Sequence, residues 1–252
     1  MTKKNRVLLW SARPGALCPA QWRRLGSLLD DTECRQARRF RFEADRRAYV
    51  LAHGLRRLAL AAWLRVPAAT LRFGAEAGGR PQLLAPAHRP VFFSHTHTRE
   101  AVLVALSSDA AVGIDVESTQ GSLISAELLA GFITQPEVAD PDFFFYWTAL
   151  EAFWKAAGTG LTQGQPRLQF ERSAAGHWLA RPESLRPGAA LAGRPTLIFP
   201  VNAPPGCCAS LALRAPARPH ALMPARSAGW LIEQRDVASA GDSIGWPEVS
   251  SL

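Results

Sequence analysis

The stretch YWTALEAFWKAAGTGL, residues 146–161, decides the fold because it is typical of one long helix with a broad apolar face. Apolar side chains recur in it and just before it at steps of three and four residues, which places them on one side of a helix. They are Phe143, Trp147, Leu150, Trp154, Ala157 and Leu161. Gly158 and Gly160 supply the positive φ that commonly ends a helix, and Asp140-Pro141-Asp142 supplies a start. We therefore predict a helix whose apolar face is suited to packing.

Another face of this helix is polar. Thr148, Glu151 and Lys155 fall at the same steps of three and four residues. Glu151 and Lys155 stand four residues apart and could form an ordinary surface ion pair. The alternative is that they belong to a functional site, and residues about thirty positions upstream bear on that choice.

Those upstream residues are two carboxylates at the end of an apolar segment. Residues 111–117 have the composition of a strand, and Asp115 and Glu117 are two positions apart, so both side chains point to the same side. Two like charges held together are costly unless a cation or solvent intervenes. An exposed strand end would supply solvent. If Glu151 joins them instead, the three carboxylates form the hard-oxygen site that is typical of Mg²⁺.

Length and composition limit the class of protein. A chain of 252 residues is long enough for one large domain or two packed halves, and we favour two halves. No run of eighteen apolar residues occurs and the N-terminal segment does not have the core of a signal peptide, so we expect a cytoplasmic protein without a membrane partner. The four cysteines show no C-x-x-C spacing, and we expect them to be reduced.

The charge is unevenly distributed. Residues 1–99 carry 19 Lys and Arg against 6 Asp and Glu, whereas residues 100–252 carry 10 against 15. A basic half facing an acidic half indicates an anionic ligand held near a metal, with nucleic acid as the competing ligand. The aromatic residues cluster on the helix of the acidic half rather than among the arginines, which argues against a base-stacking channel. We therefore expect no nucleic-acid partner.

Three further features of the basic half are ambiguous on their own. Residues 45–60 predict a long amphipathic helix whose arginines either bind an anion or form a solvated face. Arg80 follows Gly78-Gly79, a turn that lets backbone amides approach an anion. His95 and His97 form an H-x-H pair, but the further ligands of a zinc hydrolase are missing. A lone His97 would more often be structural.

Two motifs together resemble a known family. Gly113-Ile114-Asp115-Val116-Glu117 is followed by Trp147-Thr148-x-x-Glu151-Ala152-x-x-Lys155-x-x-Gly158-x-Gly160-Leu161, and this pair resembles the signature of the Sfp-type 4′-phosphopantetheinyl transferases. Supporting matches occur in family order across residues 5–213. They are Arg39-Phe40-Arg41-Phe42 with Asp45-Arg46-Arg47, then Gly79-Arg80-Pro81-x-Leu83, then Thr96-His97-Thr98.

The resemblance implies a fold and a set of residue roles. The fold would be α+β, with two similar α/β halves in a pseudo-twofold arrangement and coenzyme A in the cleft between them. Asp115, Glu117 and Glu151 would hold Mg²⁺, and Lys155 would contact phosphate. Thr96 and His97 would meet the 3′-phosphate of coenzyme A. Arg80 and Arg47 would add positive charge around the nucleotide.

The resemblance also implies a reaction. Phosphopantetheine would move from coenzyme A to a serine of an acyl or peptidyl carrier protein, with release of 3′,5′-ADP. Glu151 and Lys155 would be the catalytic residues, because Glu151 would take the serine proton, directly or through a metal-bound water, and Lys155 would add positive charge. We expect the protein to act as a monomer.

One position departs from the family pattern. The family has a lysine immediately before its glutamate, and this chain has Leu150 there. Leu150 lies on the apolar stripe, so it either extends the core or marks a homologue that binds coenzyme A without efficient catalysis. The three acidic residues and Lys155 are all present, which favours an active enzyme.

We predict three segments. Residues 1–110 form the basic, coenzyme A-binding half, and residues 111–214 form the half with the metal site. Residues 215–252 are rich in Pro, Ala and Ser and should form a loosely ordered tail, in which residues 230–232 and Trp246 are candidates for docking onto the body.

Overall fold

The computed structural model describes residues 5–76, 79–86, 88–120, 125–135, 140–162, 164–184, 195–214 and 230–237. Its α-helices are α1 (Pro19–Leu28), α2 (Asp31–Ala37), α3 (Glu43–Leu64), α4 (Ala126–Ala130) and α5 (Asp140–Ala157). Its strands are β1 (Asn5–Ala12), β2 (Arg72–Ala75), β3 (Pro81–Ala85), β4 (Phe92–His97), β5 (Val102–Ser107), β6 (Ala111–Ser118), β7 (Leu168–Arg172), β8 (Trp178–Pro182), β9 (Thr196–Pro200), β10 (Cys207–Arg214) and β11 (Trp230–Asp236).

The first sheet has four strands in the order β11-β1-β5-β4, and α3 covers one of its faces. Helix α3 is long and apolar along the side that meets the sheet, where Leu51, Leu55 and Leu58 are fully buried. Val104 and Leu106 of β5 belong to the same core cluster. Burial of this apolar surface is the main force that holds α3 on the sheet.

The second sheet has five antiparallel strands in the order β6-β10-β9-β8-β7, and α5 covers it. Trp147, Leu150 and Trp154 of α5 are buried against this sheet, as the apolar stripe predicts. The helix ends at Ala157, and Gly158 follows with φ of 83°. The predicted glycine stop is therefore confirmed, whereas Leu161 lies beyond the helix.

A third apolar cluster joins the two sheets. Leu9 of β1 and Leu103 of β5 meet Ile114 of β6 and Leu211 of β10 in it, all fully buried. The two sheets thus share a core on the faces that the helices leave free. The predicted α+β fold is confirmed, since each half consists of a sheet covered by one long helix.

The end of the chain differs from the prediction. Strand β11 pairs in parallel with β1, with Trp230 opposite Asn5 and Asp236 opposite Ser11, and so completes the first sheet. The expectation of a loosely ordered tail is therefore wrong for residues 230–237, and the expected docking of residues 230–232 is confirmed. Residues 215–229 and 238–252, including Trp246, lie outside the described residues, and the three-segment division remains a prediction.

Candidate active site

The candidate site lies where β6 meets α5, and Gly113 makes this close approach possible. A β-carbon on Gly113 would overlap the backbone carbonyl oxygen of Ala152 and would lie 2.6 Å from the backbone nitrogen of Ala156. The strand and the helix backbones are therefore in direct contact at this point. Asp115, two residues along the strand, is consequently brought beside Lys155 on the helix.

Lys155 and Asp115 form the central contact of the site. The ammonium nitrogen of Lys155 lies 2.5 Å from Asp115 Oδ1 and also donates to the backbone carbonyl of Ile114 at 3.3 Å. Thr96 of β4 donates its hydroxyl to the same Asp115 oxygen at 3.1 Å. Elements from both halves of the fold thus converge on one carboxylate.

Asp115 is buried yet incompletely satisfied. Its Oδ2 is buried and has no hydrogen-bond partner. Burial raises the pKa of Asp115 above its usual value, and the opposing effects of Lys155 and Thr96 do not fully offset it. A buried acceptor without a partner costs free energy, so this oxygen is a candidate ligand for a cation or a donor.

Glu117 and Glu151 surround Asp115 with further negative charge. Burial and the nearby charge of Asp115 raise the pKa of each of these carboxyl groups. The indole N–H of Trp147 points toward Glu117 and lowers its pKa slightly, although this nitrogen lacks a partner at full hydrogen-bond geometry. The three carboxylates therefore influence one another, and Lys155 balances only part of their charge.

The charge and chemistry of this acidic trio fit a hard cation such as Mg²⁺. Such an ion prefers carboxylate oxygens as ligands. The trio offers three carboxyl groups with raised pKa values, and one of their oxygens, Asp115 Oδ2, is buried without a hydrogen-bond partner. In the described part of the chain, however, no three His, Cys, Asp or Glu side chains are arranged to hold one ion. Asp115 is instead turned toward Lys155, so an ion would have to draw the trio together.

Two histidines of strand β4 lie beside the site. His97 is exposed at the end of β4, and desolvation together with the positive charges of His53 and Lys155 lowers its pKa, while Asp45 opposes this. His95 is two residues earlier, and burial followed by the charge of Arg56 lowers its pKa well below the usual value. Thr96 and His97 thus lie near Lys155.

Arg80 reaches the same region from the β2–β3 hairpin. A β-carbon at Gly158 would lie 3.4 Å from Arg80 Nη1 and 3.5 Å from Glu76 Oε2, so the guanidinium lies over the C-terminal end of α5. Burial lowers the pKa of Arg80, and Glu76 opposes this. Arg80 also lines a pocket of about 440 Å³ whose other walls include Arg89 and Phe92.

Arg47 does not join this group. Its guanidinium bonds to Glu43 at 3.0 Å and lies 5.6 Å from the ring centroid of Trp22. Asp45, two positions earlier on the helix, faces Arg99 near His97, and residues two apart point to opposite sides of a helix. The structure therefore brings Arg80, Thr96, His97, Asp115, Glu117, Glu151 and Lys155 toward one region and leaves Arg47 on another face.

Comparison with known proteins shows a similarity to one family over part of this chain. Residues 16–109 match the family described as 4′-phosphopantetheinyl transferase, N-terminal. The 4′-phosphopantetheinyl transferase HetI of a Nostoc species is 29% identical over 155 residues, which is 57% of this chain and 65% of that relative. Over these ranges the chain is similar to 4′-phosphopantetheinyl transferases.

Two further relatives have the same kind of name. The 4′-phosphopantetheinyl transferase psf-1 of Bacillus pumilus is 31% identical over 137 residues, 51% of this chain and 57% of that protein. A phosphopantetheinyl transferase of a Thraustochytrium species is 27% identical over 187 residues, 65% of each chain. The chain spans between 57% and 65% of the length of these curated relatives. None of the helices described here combines the length and apolar character that a membrane span requires.

Two positions of the transferase-like helix motif are structural in this chain. Leu150 is fully buried in the core under the second sheet, so it extends the apolar stripe. Thr148 is also fully buried, with its hydroxyl 2.8 Å from the carbonyl of Phe144 and 2.8 Å from the hydroxyl of Ser210. Thr148 therefore ties α5 to β10 rather than facing the site.

Some contributing residues are not apparent from the transferase motifs. Ser94 of β4 accepts from the backbone N–H of Ile114 at 3.2 Å and so joins the two sheets beside the site. Glu33 of α2 bonds His53 Nδ1 at 3.1 Å, and the His53 ring meets His95 edge-on with 5.4 Å between centroids. The only sequence signal for this network is the capping pair Asp30 and Glu33, which reveals nothing about its tertiary partners.

Proposed function

We propose that this chain transfers 4′-phosphopantetheine from coenzyme A to a serine of an acyl or peptidyl carrier protein, with release of 3′,5′-ADP. The observation that carries the proposal is the junction of β6 and α5, where Lys155 contacts Asp115 amid the charges of Glu117 and Glu151. Hard-oxygen ligands beside the ammonium group of Lys155 suit the transfer of a phosphoryl-linked group. The matched family supports the same reaction class.

Asp115, Glu117 and Glu151 are the residues that would hold Mg²⁺. The orphaned Oδ2 of Asp115 and the raised pKa values of all three groups support this assignment. When bound, the ion would supply positive charge to the pyrophosphate of coenzyme A. Lys155, whose ammonium group contacts Asp115, would contact a phosphate oxygen of the substrate.

Glu151 is the proposed base for the carrier serine. Its carboxyl group is half-buried close to Asp115, and a carboxylate placed beside the entering serine can act as a general base, directly or through a water molecule. As the serine oxygen bonds to the phosphorus next to pantetheine, its proton would pass to Glu151. The bond from that phosphorus to the bridging oxygen would break, and 3′,5′-ADP would leave with the electron pair.

The cationic and polar side chains near the acidic trio provide the nucleotide-binding side of the proposed site. Thr96, His97, Arg80 and Lys155 come from β4, the β2–β3 hairpin and α5. We assign Thr96 and His97 to the 3′-phosphate and Arg80 to the neighbouring nucleotide charge. Arg47 is not retained in this assignment, because its guanidinium is engaged by Glu43 and Trp22.

Mass spectrometry of an apo carrier protein incubated with this chain, coenzyme A and Mg²⁺ tests the proposal. We expect the carrier to gain the mass of one phosphopantetheine at its acceptor serine, and we expect chelation of the metal to prevent the gain. A serine-to-alanine carrier is the matched control. An unchanged mass across carriers from fatty-acid, polyketide and peptide synthesis would refute the proposed activity.

A further inference from the structure

Helix α3 contacts the end of strand β4 at two points. The ring of His53 meets that of His95 edge-on, with 5.4 Å between the centroids. Nearer the start of the helix, Asp45 holds Arg99 by two hydrogen bonds of 2.6 Å and 3.0 Å. His97, which is exposed, lies between His95 and Arg99 in the chain. The helix is thus fastened to the chain on either side of His97.

The spacing of the two contacts suits both elements. From Asp45 to His53 a helix advances about 12 Å, and the extended chain from His95 to Arg99 spans up to about 13 Å, so both contacts can form together. Alternate residues of a strand share a face, so His95 and His97 point to the same side of β4. Both rings therefore lie on the face of β4 that packs on α3.

Two neighbours fix the ring of His53. Its Nδ1 lies 3.1 Å from Glu33 Oε1, and its face stacks on Tyr49 with 3.9 Å between the ring centroids. Glu33 is itself buried, and the same oxygen accepts from Arg56 at 2.5 Å. Because the carboxylate and the phenol ring hold His53 from two directions, its edge presents a fixed surface to His95.

The contact between the two imidazoles requires that they carry no charge. Burial lowers the pKa of His53, although the hydrogen bond to Glu33 opposes this effect. Burial, followed by the charge of Arg56, lowers the pKa of His95 well below its usual value. Two protonated rings at this separation would repel each other, whereas neutral rings can pack edge to face. At neutral pH both rings are therefore suited to packing rather than to binding an anion.

His97 lies within the influence of both contacts. Burial and the charge of His53 lower its pKa, and the charge of Asp45 opposes them. An exposed ring at the end of a strand has rotational freedom that it must lose when it binds a ligand, and this loss costs free energy. Fixing the strand beside His97 reduces that cost.

We propose that His53 is a positioning residue for His97. It holds His95, and with it the end of β4, so that the His97 ring meets the 3′-phosphate of coenzyme A in a fixed place. The inference rests on the proposed function, which assigns His97 to that phosphate. The pair of Asp45 and Arg99 contributes less, because the Arg99 side chain is exposed and solvent screens exposed ion pairs.

Calorimetric titration of 3′,5′-ADP into variants at His53 tests this proposal. His53→Asn keeps an N–H donor for Glu33 but removes the ring, and we expect it to raise the Kd about tenfold. His53→Phe keeps a ring between Tyr49 and His95, so its Kd should rise by less than about threefold. The Kd for 3′-dephospho-coenzyme A, which lacks the phosphate in question, should stay unchanged in both variants.

A double-mutant cycle with His97→Ala shows whether His53 acts through His97. Once the His97 ring is removed, adding His53→Asn should change the Kd for 3′,5′-ADP by less than about twofold. His177→Ala is the matched control. His177 is buried, its Nδ1 lies 3.1 Å from Ser173 Oγ and its ring stacks on Phe199, but it belongs to the hairpin at the far edge of the second sheet. This control should leave both Kd values unchanged.

The outcomes separate the positioning role from the proposed function. An unchanged Kd in His53→Asn, an equal loss with and without the His97 ring, or a loss in His53→Phe at least as large as in His53→Asn would each overturn the positioning role. NMR relaxation of the ligand-free protein supplies a readout that needs no nucleotide. His53→Asn should lower the order parameter of the His97 ring, and an unchanged value would also refute the proposal. A wild-type chain that neither binds 3′,5′-ADP nor transfers phosphopantetheine would refute the proposed function instead.

Discussion

At the scale of single residues, Asp115 is the most informative side chain. Its Oδ1 is shared by Lys155 and Thr96, while its Oδ2 is buried without a partner. An aspartate with only a structural role would be expected to have both oxygens satisfied. The unsatisfied oxygen is therefore better explained by a ligand that binds during function than by stability.

Asp115→Asn distinguishes a role of Asp115 in ligand binding from a role in stability. The amide keeps the shape of the side chain but loses the charge that a metal ligand needs, so we expect transfer to fall by more than about 100-fold, since even indirect contacts to a metal cost 10–100-fold. Mg²⁺ with coenzyme A should raise the melting temperature of the wild type but not of this variant. Glu171→Gln, on an exposed residue of β7, is the control. Retained Mg²⁺-dependent transfer in Asp115→Asn would contradict the metal assignment.

Leu150 gives a second prediction at this scale. It stands where the family pattern has a lysine, and its burial indicates that it serves the apolar core. We expect Leu150→Lys to destabilise the fold by about 3–5 kcal/mol, the cost of an uncompensated buried charge. Leu150→Met should cost less than about 1.5 kcal/mol, since it nearly conserves volume. Urea denaturation followed by circular dichroism measures both. A stable Leu150→Lys variant with faster transfer would instead show that the natural site is impaired.

At the scale of elements, the contact of β6 with α5 depends on Gly113. Gly113→Ala would force the two backbones apart, because the added carbon would overlap the carbonyl oxygen of Ala152. We expect a loss of stability of about 1–3 kcal/mol from overpacking and a larger relative loss of transfer, since Asp115 and Lys155 would separate. Gly26→Ala in α1 is the control, because nothing lies within 4 Å of its added carbon. Equal activity of both variants would contradict this role.

Helices α2 and α3 are joined by a buried charge network centred on Glu33. Arg56 and Arg57 of α3 bond its two carboxyl oxygens at 2.5 Å and 2.6 Å. Burial alone would raise the pKa of Glu33, but hydrogen bonds from His53, the Asp30 backbone and Arg57 lower it to about 2. Because the folded pKa lies below the usual value of 4.5, this network stabilises the fold above pH 4.5 and loses that contribution as the pH falls toward 2.

Glu33→Gln should therefore unfold more easily at neutral pH, by about 3–5 kcal/mol, because it leaves the buried guanidinium of Arg56 without a counter-charge and that of Arg57 with Asp30 alone. The difference from the wild type should shrink between pH 4.5 and pH 2. Glu43→Gln is a matched control, since the pKa of Glu43 is also lowered to about 2 but its salt bridges are exposed and solvent screens them. Chemical denaturation across this pH range checks both, and a pH-independent difference for Glu33→Gln would contradict the account.

Elements with a strong periodic pattern are the ones that the sequence predicts well. The apolar stripe and glycine stop of α5 and the strand composition of β6 place Glu151, Lys155 and Asp115 correctly on their elements. The seven-residue α2 is too short for a helical period to be evident, so its buried Glu33 was not predicted. The contact of Arg47 with Trp22 could not be predicted from the local sequence either, because α1 and α3 meet only in the tertiary structure.

At the scale of the whole molecule, the sequence predicts two halves but not how the chain closes them. Strand β11 returns after the second half to pair with β1, and a parallel partner so distant in sequence leaves no periodic or turn signal. Charge asymmetry, in contrast, is a global property that the sequence reports directly. The groove between α1, α2 and α3, which Arg23, Arg38, Arg46 and Arg47 line, is one local expression of it. The pairing of β11 with β1 is therefore not predictable from local sequence patterns.

The return of β11 leads to a prediction about truncation. Its backbone bonds satisfy the edge of β1, Arg6 bonds Glu233 at 2.6 Å, and Val237, which is fully buried, donates its N–H to Ser11. A chain ending at Arg214 would expose this edge and the apolar surface under Val237, and exposed edges promote aggregation.

We expect the chain ending at Arg214 to melt at a lower temperature and to aggregate on size-exclusion chromatography, while a chain ending at Val237 stays soluble. Because β1 also pairs with β5, which leads to the site, the shorter chain should lose transfer as well. A chain ending at Arg214 that melts like the full chain and remains monodisperse would show that β11 contributes little to the first sheet.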